Sequence, residues 1–218
     1  MQPPFTIEEF FGVFRKYNEA LWPVQVFLVG LAFAAILLTL RPRRWSGVGI
    51  SAILTFLWVW VAIAYHLAFF ARINLLAYLF SGVSLAGALI FLWQGVVQRR
   101  LQFAWTGGGR AYLGAALVMY ALVIYPVWSW YAGHHYPYMP TFGLPCPTTI
   151  FTIGLLSFLV APYPRSTLVV PILWCFVGGQ AAFLLGVHQD FGLFAAAVAG
   201  TVLFVRSKGS TALVRPAS

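Results

Sequence analysis

The sequence predicts an all-α integral membrane protein, a single helical bundle that spans a bilayer. Of its 218 residues, 61% are hydrophobic and only 8% are charged. In soluble domains about a quarter of the residues are charged, so a water-soluble fold with this composition could not cover its apolar surface. The apolar residues also fall into long runs separated by short basic clusters, which is the pattern of a multi-pass membrane protein. The length leaves room for one bundle and no soluble domain.

Seven apolar runs are candidate transmembrane helices, since a span needs about 20 apolar residues. The fifth and seventh runs are short, and the fifth has the alternative of entering the membrane and turning back. The seven runs are 22–40, 48–70, 75–97, 112–131, 148–161, 168–187 and 191–205.

The distribution of basic residues favours seven crossings over six. With seven, ten Arg and Lys residues share one side and only Arg15, Lys16 and Arg72 fall on the other. If the fifth run turned back, the split would be six against seven. The positive-inside rule therefore predicts an N-terminus outside and a C-terminus in the cytoplasm.

The residues before the first run predict an amphipathic helix over 1–21 that lies at the membrane surface. Thr6 and Glu9 fit a capping box, and Phe5 and Phe10 fit a hydrophobic staple. Pro23 suits the first turn of a new helix, so we expect a break there. The predicted organisation is this helix, a transmembrane bundle over 22–205, and a short basic cytoplasmic tail over 206–218.

The stretch Ala132–Pro147, AGHHYPYMPTFGLPCP, is the most unusual part of the chain. It carries no charge, but it is rich in groups that bind ligands or metals. We expect Pro145 and Pro147 to hold Cys146 in an extended backbone and Pro147 to open the fifth helix. The alternative to a ligand site is a stiff loop that plugs the outer mouth of the bundle.

The predicted topology brings all four histidines to the outer side of the membrane. An ionisable residue inside a span, such as His66, often marks function. Adjacent His134 and His135, with Cys146 eleven residues on, are candidate ligands for a transition metal, although their spacing matches no standard zinc signature. Each histidine has the alternative of a hydrogen-bonded interfacial residue. The candidate ligand-binding residues are Asn18, Glu19, His66, His134, His135, Cys146, His188 and Asp190.

The last two predicted spans have small residues at four-residue spacing, which permits close helix packing in lipid. The residues are Gly178, Ala182 and Gly186 in the sixth span and Gly192, Ala196 and Gly200 in the seventh. The short turn at His188–Asp190 predicts that these spans form a tight hairpin.

Two motifs, YNEALWP at 17–23 and GLPCPTTIF at 143–151, resemble those of the DUF6064 family of bacterial multi-spanning membrane proteins. The resemblance covers most of the chain. It implies a bacterial inner-membrane protein and no established activity, catalytic residue or cofactor. If the motifs are characteristic of the family, Asn18, Glu19 and Cys146 become stronger candidates for site residues.

Several classes are excluded. A retinal protein needs a lysine in its last span, and Lys16 and Lys208 are the only lysines. No rhomboid GxSG, Walker A, dinucleotide, haem-attachment or HExxH motif is present, so no cofactor is required and a non-enzymatic role is favoured. The predicted spans carry no Asp, Glu, Lys or Arg, which disfavours a carboxylate proton relay. The clustered basic residues indicate membrane orientation and no nucleic-acid partner.

Three functions remain open. The first is a small transporter or binder with an extracytoplasmic polar pocket for a metal ion or small anion. The second is a non-catalytic scaffold or subunit of a membrane complex, with a further copy or another membrane protein as its partner besides the lipid bilayer. The third is a redox protein with haem or quinone, in which two histidines are axial ligands.

Overall fold

In the computed structural model, residues 4–207 are described, and this part of the chain is helical with no β-strand. The all-α prediction is therefore confirmed for the described residues. The predicted tail over 206–218 lies outside them except for its first two residues. The nine α-helices are α1 (Ile7–Leu40), α2 (Ser46–Trp60), α3 (Leu76–Phe91), α4 (Gly108–Met119), α5 (Tyr125–Tyr131), α6 (Pro145–Leu156), α7 (Ser166–Gly179), α8 (Ala181–Leu184) and α9 (Phe191–Arg206).

Short helical segments of other types extend several of these helices. Six of the resulting runs are long and apolar enough to cross a membrane, which supports a membrane-embedded protein. Within them, π-helical segments Val61–Leu67, Leu92–Val97 and Tyr120–Ile124 follow α2, α3 and α4, and 3₁₀ turns cover Phe70–Arg72 and His188–Asp190. The six runs are Ile7–Leu40, Ser46–Arg72, Leu76–Val97, Gly108–Tyr131, Ser166–Leu184 and His188–Arg206.

The first helix begins as the sequence predicts. The Thr6 hydroxyl accepts a hydrogen bond from the backbone N–H of Glu9, and the Glu9 carboxylate accepts one from the Thr6 N–H. The Phe5 and Phe10 rings stack with centroids 5.8 Å apart. Leu21 has non-helical backbone angles, so α1 breaks two residues before Pro23. The interfacial position of the part before the break stays a prediction.

Helix α6 lies at the centre of the bundle, where it packs against α4, α7 and α9. Eleven of its 12 residues are buried. At 1.5 Å per residue it is about 18 Å long, shorter than the hydrocarbon core. Glycines allow its close approach to α4, because a Cβ on Gly154 would lie 3.0 Å from the Gly114 carbonyl oxygen. The chain therefore crosses the membrane seven times only if α6 and the residues that flank it make a crossing in addition to the six long runs.

The predicted start of this helix is wrong by two to three residues. Helix α6 begins at Pro145, so Cys146 lies in its first turn and is not extended. The extended residue is Leu144, with φ −80° and ψ 158°. A proline disfavours the helical region for the residue before it and suits the first helical position itself, so Pro145 acts where Pro147 was expected.

One end of the bundle joins the segments that follow α3 and α6. The Val160 N–H donates to the Gln102 carbonyl oxygen at 2.8 Å, and the Arg110 guanidinium donates to the Leu159 carbonyl oxygen. The Arg165 Nε donates to Ser207 Oγ at 2.7 Å. The run from α4 to α5 has 24 residues, so its far end lies about 36 Å away. Residues 132–144 and the turn before α9 lie at that far end.

Helix α7 packs along α9, as the predicted hairpin requires, but the small residues act differently from the prediction. A Cβ on Gly178 would lie 3.1 Å from Leu193 Cδ1, and one on Gly200 would lie 2.8 Å from Ile172 Cγ1, so both mediate close packing. Gly192 instead packs on Tyr120, outside this hairpin. Gly186 has φ +71° and lies in the turn, because α7 and α8 end before it.

Candidate functional site

Asn18 of α1 holds the loop over 132–144 in place. Its side-chain N–H₂ donates to the Pro137 and Met139 carbonyl oxygens at 2.6 and 2.8 Å. Its side-chain oxygen accepts from Gln25 Nε2 at 2.6 Å and from the Thr141 hydroxyl at 2.8 Å. The side chain of Asn18 is fully buried and these bonds use its donors and acceptor. Asn18 therefore fixes the loop.

Gly143 lets this loop enter the bundle. Its φ is +101°, which favours glycine, and a Cβ there would lie 2.4 Å from Leu28 Cδ1 and 3.0 Å from the Tyr17 hydroxyl. The Tyr17 hydroxyl accepts a hydrogen bond from Trp60 Nε1 at 2.7 Å. Since these neighbours belong to α1 and α2, the chain is already inside the helix bundle when α6 begins.

A cavity of about 530 Å³ lies beside the start of α6. We call it the aromatic cavity, because the rings of eight phenylalanines, tyrosines and tryptophans line it along with leucines and prolines. Its exposed lining residues, Pro4, Leu76, Gln180 and Leu184, mark a mouth bordered by the residues before α1, the start of α3 and α8. The eight phenylalanines, tyrosines and tryptophans of its lining are Phe5, Phe10, Phe14, Tyr65, Phe70, Phe80, Tyr125 and Trp174.

The inner end of the aromatic cavity is polar. The Tyr125 hydroxyl donates a hydrogen bond to Asp190 Oδ1 at 2.5 Å. The thiol of Cys146 lies next to the Asp190 carboxyl group and to the indole of Trp174. The sequence assigns Asp190 to a turn between spans, but the 3₁₀ turn before α9 folds inward and leaves only 2% of this residue exposed.

His66 contributes two further polar atoms to this inner end. It is 1% exposed, and neither ring nitrogen has a hydrogen-bond partner within the described residues. Its ring centroid lies 5.0 Å from that of Trp174, whose Nε1 is also buried and has no hydrogen-bond partner in residues 4–207. His66 belongs to the π-helical segment after α2, and such segments are frequent at functional sites.

The charge of the aromatic cavity comes from one residue. Asp190 is the only Asp, Glu, Lys or Arg among the described residues that line it. Across residues 4–207, the only ion pair is Arg15 with Glu19, at 3.9 Å. Asp190 therefore has no basic partner in this part of the chain, and a buried carboxyl group without one is costly to ionise.

The other three histidines lie at the same end of the bundle but outside the lining of the aromatic cavity. His134 stacks on Phe11 with ring centroids 4.1 Å apart. Partial burial, with smaller contributions from His188 and His135, lowers the pKa of His134. His135 packs edge-on against Trp130 at 4.3 Å, and His188 is exposed beside Phe191.

The structure thus brings three of the eight candidate residues together, namely His66, Cys146 and Asp190. Glu19 is exposed in its pair with Arg15. In residues 4–207 no three His, Cys, Asp or Glu side chains are grouped to hold a metal ion, and both cysteines are free thiols. The role of all eight as ligand-binding residues stays a prediction.

Sequence reasoning missed most of the cavity lining. Tyr125 and Trp174 lie in apolar runs, where an aromatic residue is usually a core or interfacial residue. Asn74, which also lines the cavity, lies in the short connection between the second and third predicted spans. The hydrogen bond between Tyr125 and Asp190 joins residues that are 65 positions apart in the sequence, so no local pattern could reveal it.

Comparison with known proteins gives one match. A model described as a family of unknown function, DUF6064, matches residues 7–215, nearly the whole chain. This match confirms the resemblance predicted from the sequence. No curated protein and no solved structure matches the chain.

Proposed function

The chain belongs to the DUF6064 family, and we propose that it is a multi-pass membrane protein that binds a small, largely apolar molecule in the aromatic cavity. It acts as a binder or as a small transporter. The observation that carries this proposal is the combination of aromatic walls with unpartnered polar atoms of His66 and Trp174 at the inner end.

The size and chemistry of the aromatic cavity support this function. Ligand pockets typically measure about 300–1,000 Å³ and pair apolar walls with a few placed polar groups. A buried donor or acceptor without a partner costs about 1–3 kcal/mol, so a ligand that bonds to His66 and Trp174 recovers this cost. A small anion, one of the ligands the sequence suggests, is disfavoured because it would lie next to Asp190.

Photolabelling tests the proposal. The probe is 3-trifluoromethyl-3-phenyldiazirine, a small neutral aromatic molecule, applied to the protein in lipid nanodiscs. We expect saturable labelling of Phe80, Trp174 or Leu184 that excess neopentylbenzene suppresses. Ala181→Trp, which fills the cavity from α8, is expected to abolish this labelling.

Ala86→Trp is the matched control, because Ala86 is exposed on α3 and does not line the aromatic cavity. It adds the same side chain and is expected to leave the saturable labelling intact. Labelling that does not saturate, or that persists unchanged in Ala181→Trp, would contradict the proposed function.

We also propose a topology of seven crossings in a bacterial inner membrane, with the N-terminus outside and the C-terminus cytoplasmic. Helix α6, with the residues that directly flank it, forms the fifth crossing, and the loop before it begins outside. The basic residues support this arrangement, with ten on the cytoplasmic side against three outside. A C-terminal green fluorescent protein fusion should fluoresce and a C-terminal alkaline phosphatase fusion should be inactive; the opposite pair of results would contradict the topology.

A second candidate function is a subunit of a membrane complex. Two apolar hollows of about 340 and 330 Å³ lie between α1 and the run from α4 to α5, and both include Leu122. Such a surface suits a partner helix. Ala115→Trp, which fills the first hollow, should then release a co-purifying membrane protein that Ala86→Trp retains. Retention of that protein by both variants would remove this support.

A further inference from the structure

We propose that the molecule bound in the aromatic cavity is an organic cation, such as an aromatic amine or a quaternary ammonium compound. This inference rests on the proposed function and adds a charge to the ligand. It follows from a buried carboxyl group without a basic partner and from the aromatic faces around it.

The carboxyl group of Asp190 is the first observation. It is buried at the inner end of the cavity, where its neighbours are two uncharged groups, the Tyr125 hydroxyl, which donates a hydrogen bond to it, and the Cys146 thiol. Buried charges in proteins are generally paired, since an ionised carboxylate removed from water is unstable alone. Because no Lys or Arg among the described residues lines the cavity, a bound cation can supply the positive charge that stabilises the ionised carboxylate.

The aromatic walls are the second observation. The Trp174 ring centroid lies 5.3 Å from that of Phe80 and 5.0 Å from that of His66, so these rings border one space. A cation within about 6 Å of a ring centroid is attracted to the negative face of the ring, most strongly for Trp. Aromatic walls with one carboxylate therefore suit a cation that carries apolar groups.

The same two observations discriminate against other charged ligands. A metal ion requires several close ligands, and no group of three is arranged for this in residues 4–207. An organic cation buries its apolar groups against the leucines and aromatic rings, and its charge needs only Asp190. A neutral ligand would leave that carboxyl group without a charged partner.

Equilibrium binding to the protein in nanodiscs tests the inference with three labelled probes of similar size. They are benzyltrimethylammonium, its neutral carbon isostere neopentylbenzene, and the anion phenylacetate. Empty nanodiscs correct for partition into lipid. We expect saturable binding in the order cation, neutral molecule, anion.

Asp190→Asn keeps the shape of the side chain and removes its charge, so it should weaken binding of the cation by roughly 30-fold or more. The matched control is Glu19→Gln, which removes an exposed carboxylate outside the cavity and should change nothing. Phe80→Leu keeps an apolar wall but removes a ring face. It should weaken binding of the cation about 3- to 10-fold and weaken binding of the neutral isostere less.

Phe80→Leu keeps the test decisive if Asp190→Asn does not fold. Equal saturable binding of cation and isostere, or unchanged cation binding in Asp190→Asn or Phe80→Leu, would overturn the cation inference while the proposed apolar cavity stands. Absence of saturable binding for all three probes would overturn both.

Discussion

The Tyr125 hydroxyl donates a 2.5 Å hydrogen bond to the carboxyl group of Asp190, and both groups are buried. This bond joins the α4–α5 run to the start of α9. It fixes the Asp190 side chain at the inner end of the aromatic cavity, next to Cys146. The position of the one charge in the cavity therefore depends on Tyr125.

We expect Tyr125→Phe to destabilise the protein by about 1–2 kcal/mol, since Asp190 loses a donor and the rest of the ring stays. Thermal unfolding in detergent measures this. In the Asp190→Asn background the same substitution should cost less, because a neutral acceptor makes a weaker bond. Equal costs in both backgrounds would show that the two side chains are not coupled.

We expect Asn18→Ala to free the loop over 132–144, because the variant removes its bonds to the Pro137 and Met139 carbonyl oxygens and to Thr141. Each bond contributes about 1 kcal/mol, so the total loss should exceed about 2 kcal/mol. Hydrogen–deuterium exchange should rise across this loop.

The control for this loop prediction is the adjacent residue. Glu19→Ala removes an exposed ion pair with Arg15, which should cost less than about 1 kcal/mol. Unchanged exchange in Asn18→Ala, or equal effects of the two variants, would count against the role assigned to Asn18.

We expect Gly143→Ala to disrupt the entry of the loop into the bundle, because its Cβ would lie 2.4 Å from Leu28 Cδ1. Gly133→Ala is the matched control: its φ is also positive, at +87°, but no atom lies within 4 Å of the added Cβ. It should cost only the backbone strain, about 1–2 kcal/mol. Monodispersity and melting temperature in detergent compare the two, and similar losses would contradict the packing around Gly143.

We expect His134 to titrate below the usual range of histidine. Burial is the main cause of its lowered pKa, and His188 and His135 add to it. Because the folded-state pKa is below that of the unfolded chain, this residue favours folding above the unfolded value, about 6.5, and this contribution is lost as the pH falls from there through the lower folded pKa.

Nuclear magnetic resonance of ring-labelled histidine measures this titration. His188→Gln removes one nearby positive charge and should raise the pKa of His134 slightly, whereas Phe11→Ala, which exposes the ring, should raise it more. A normal pKa for His134 in the native protein would contradict its burial against Phe11.

The sequence predicted those parts of the fold that depend on local pattern. Capping by Thr6 and Glu9 needs only three-residue spacing, and long apolar runs identify membrane helices directly. The bounds of α6 were less predictable. Two prolines of equal local character, Pro145 and Pro147, compete for the first helical position, and packing of the whole bundle decides between them.

The candidate site was predicted in part. His66, Cys146 and Asp190 stand out because titratable or thiol groups are rare in such a chain. Their separation from His134, His135 and His188 could not be predicted, because a shared membrane side does not give side-chain direction. Asn18 is one of the predicted site residues, and its four bonds with the loop and Gln25 depend on tertiary contacts that the sequence does not reveal.

An experimental structure of the protein in native lipid nanodiscs, prepared without added ligand and then with benzyltrimethylammonium, tests the central claim most directly. The account predicts non-protein density in the aromatic cavity, with a positive group beside the Asp190 carboxylate and within reach of the Trp174 ring. A cavity filled by its own side chains, or one that holds only water at saturating benzyltrimethylammonium, would contradict it.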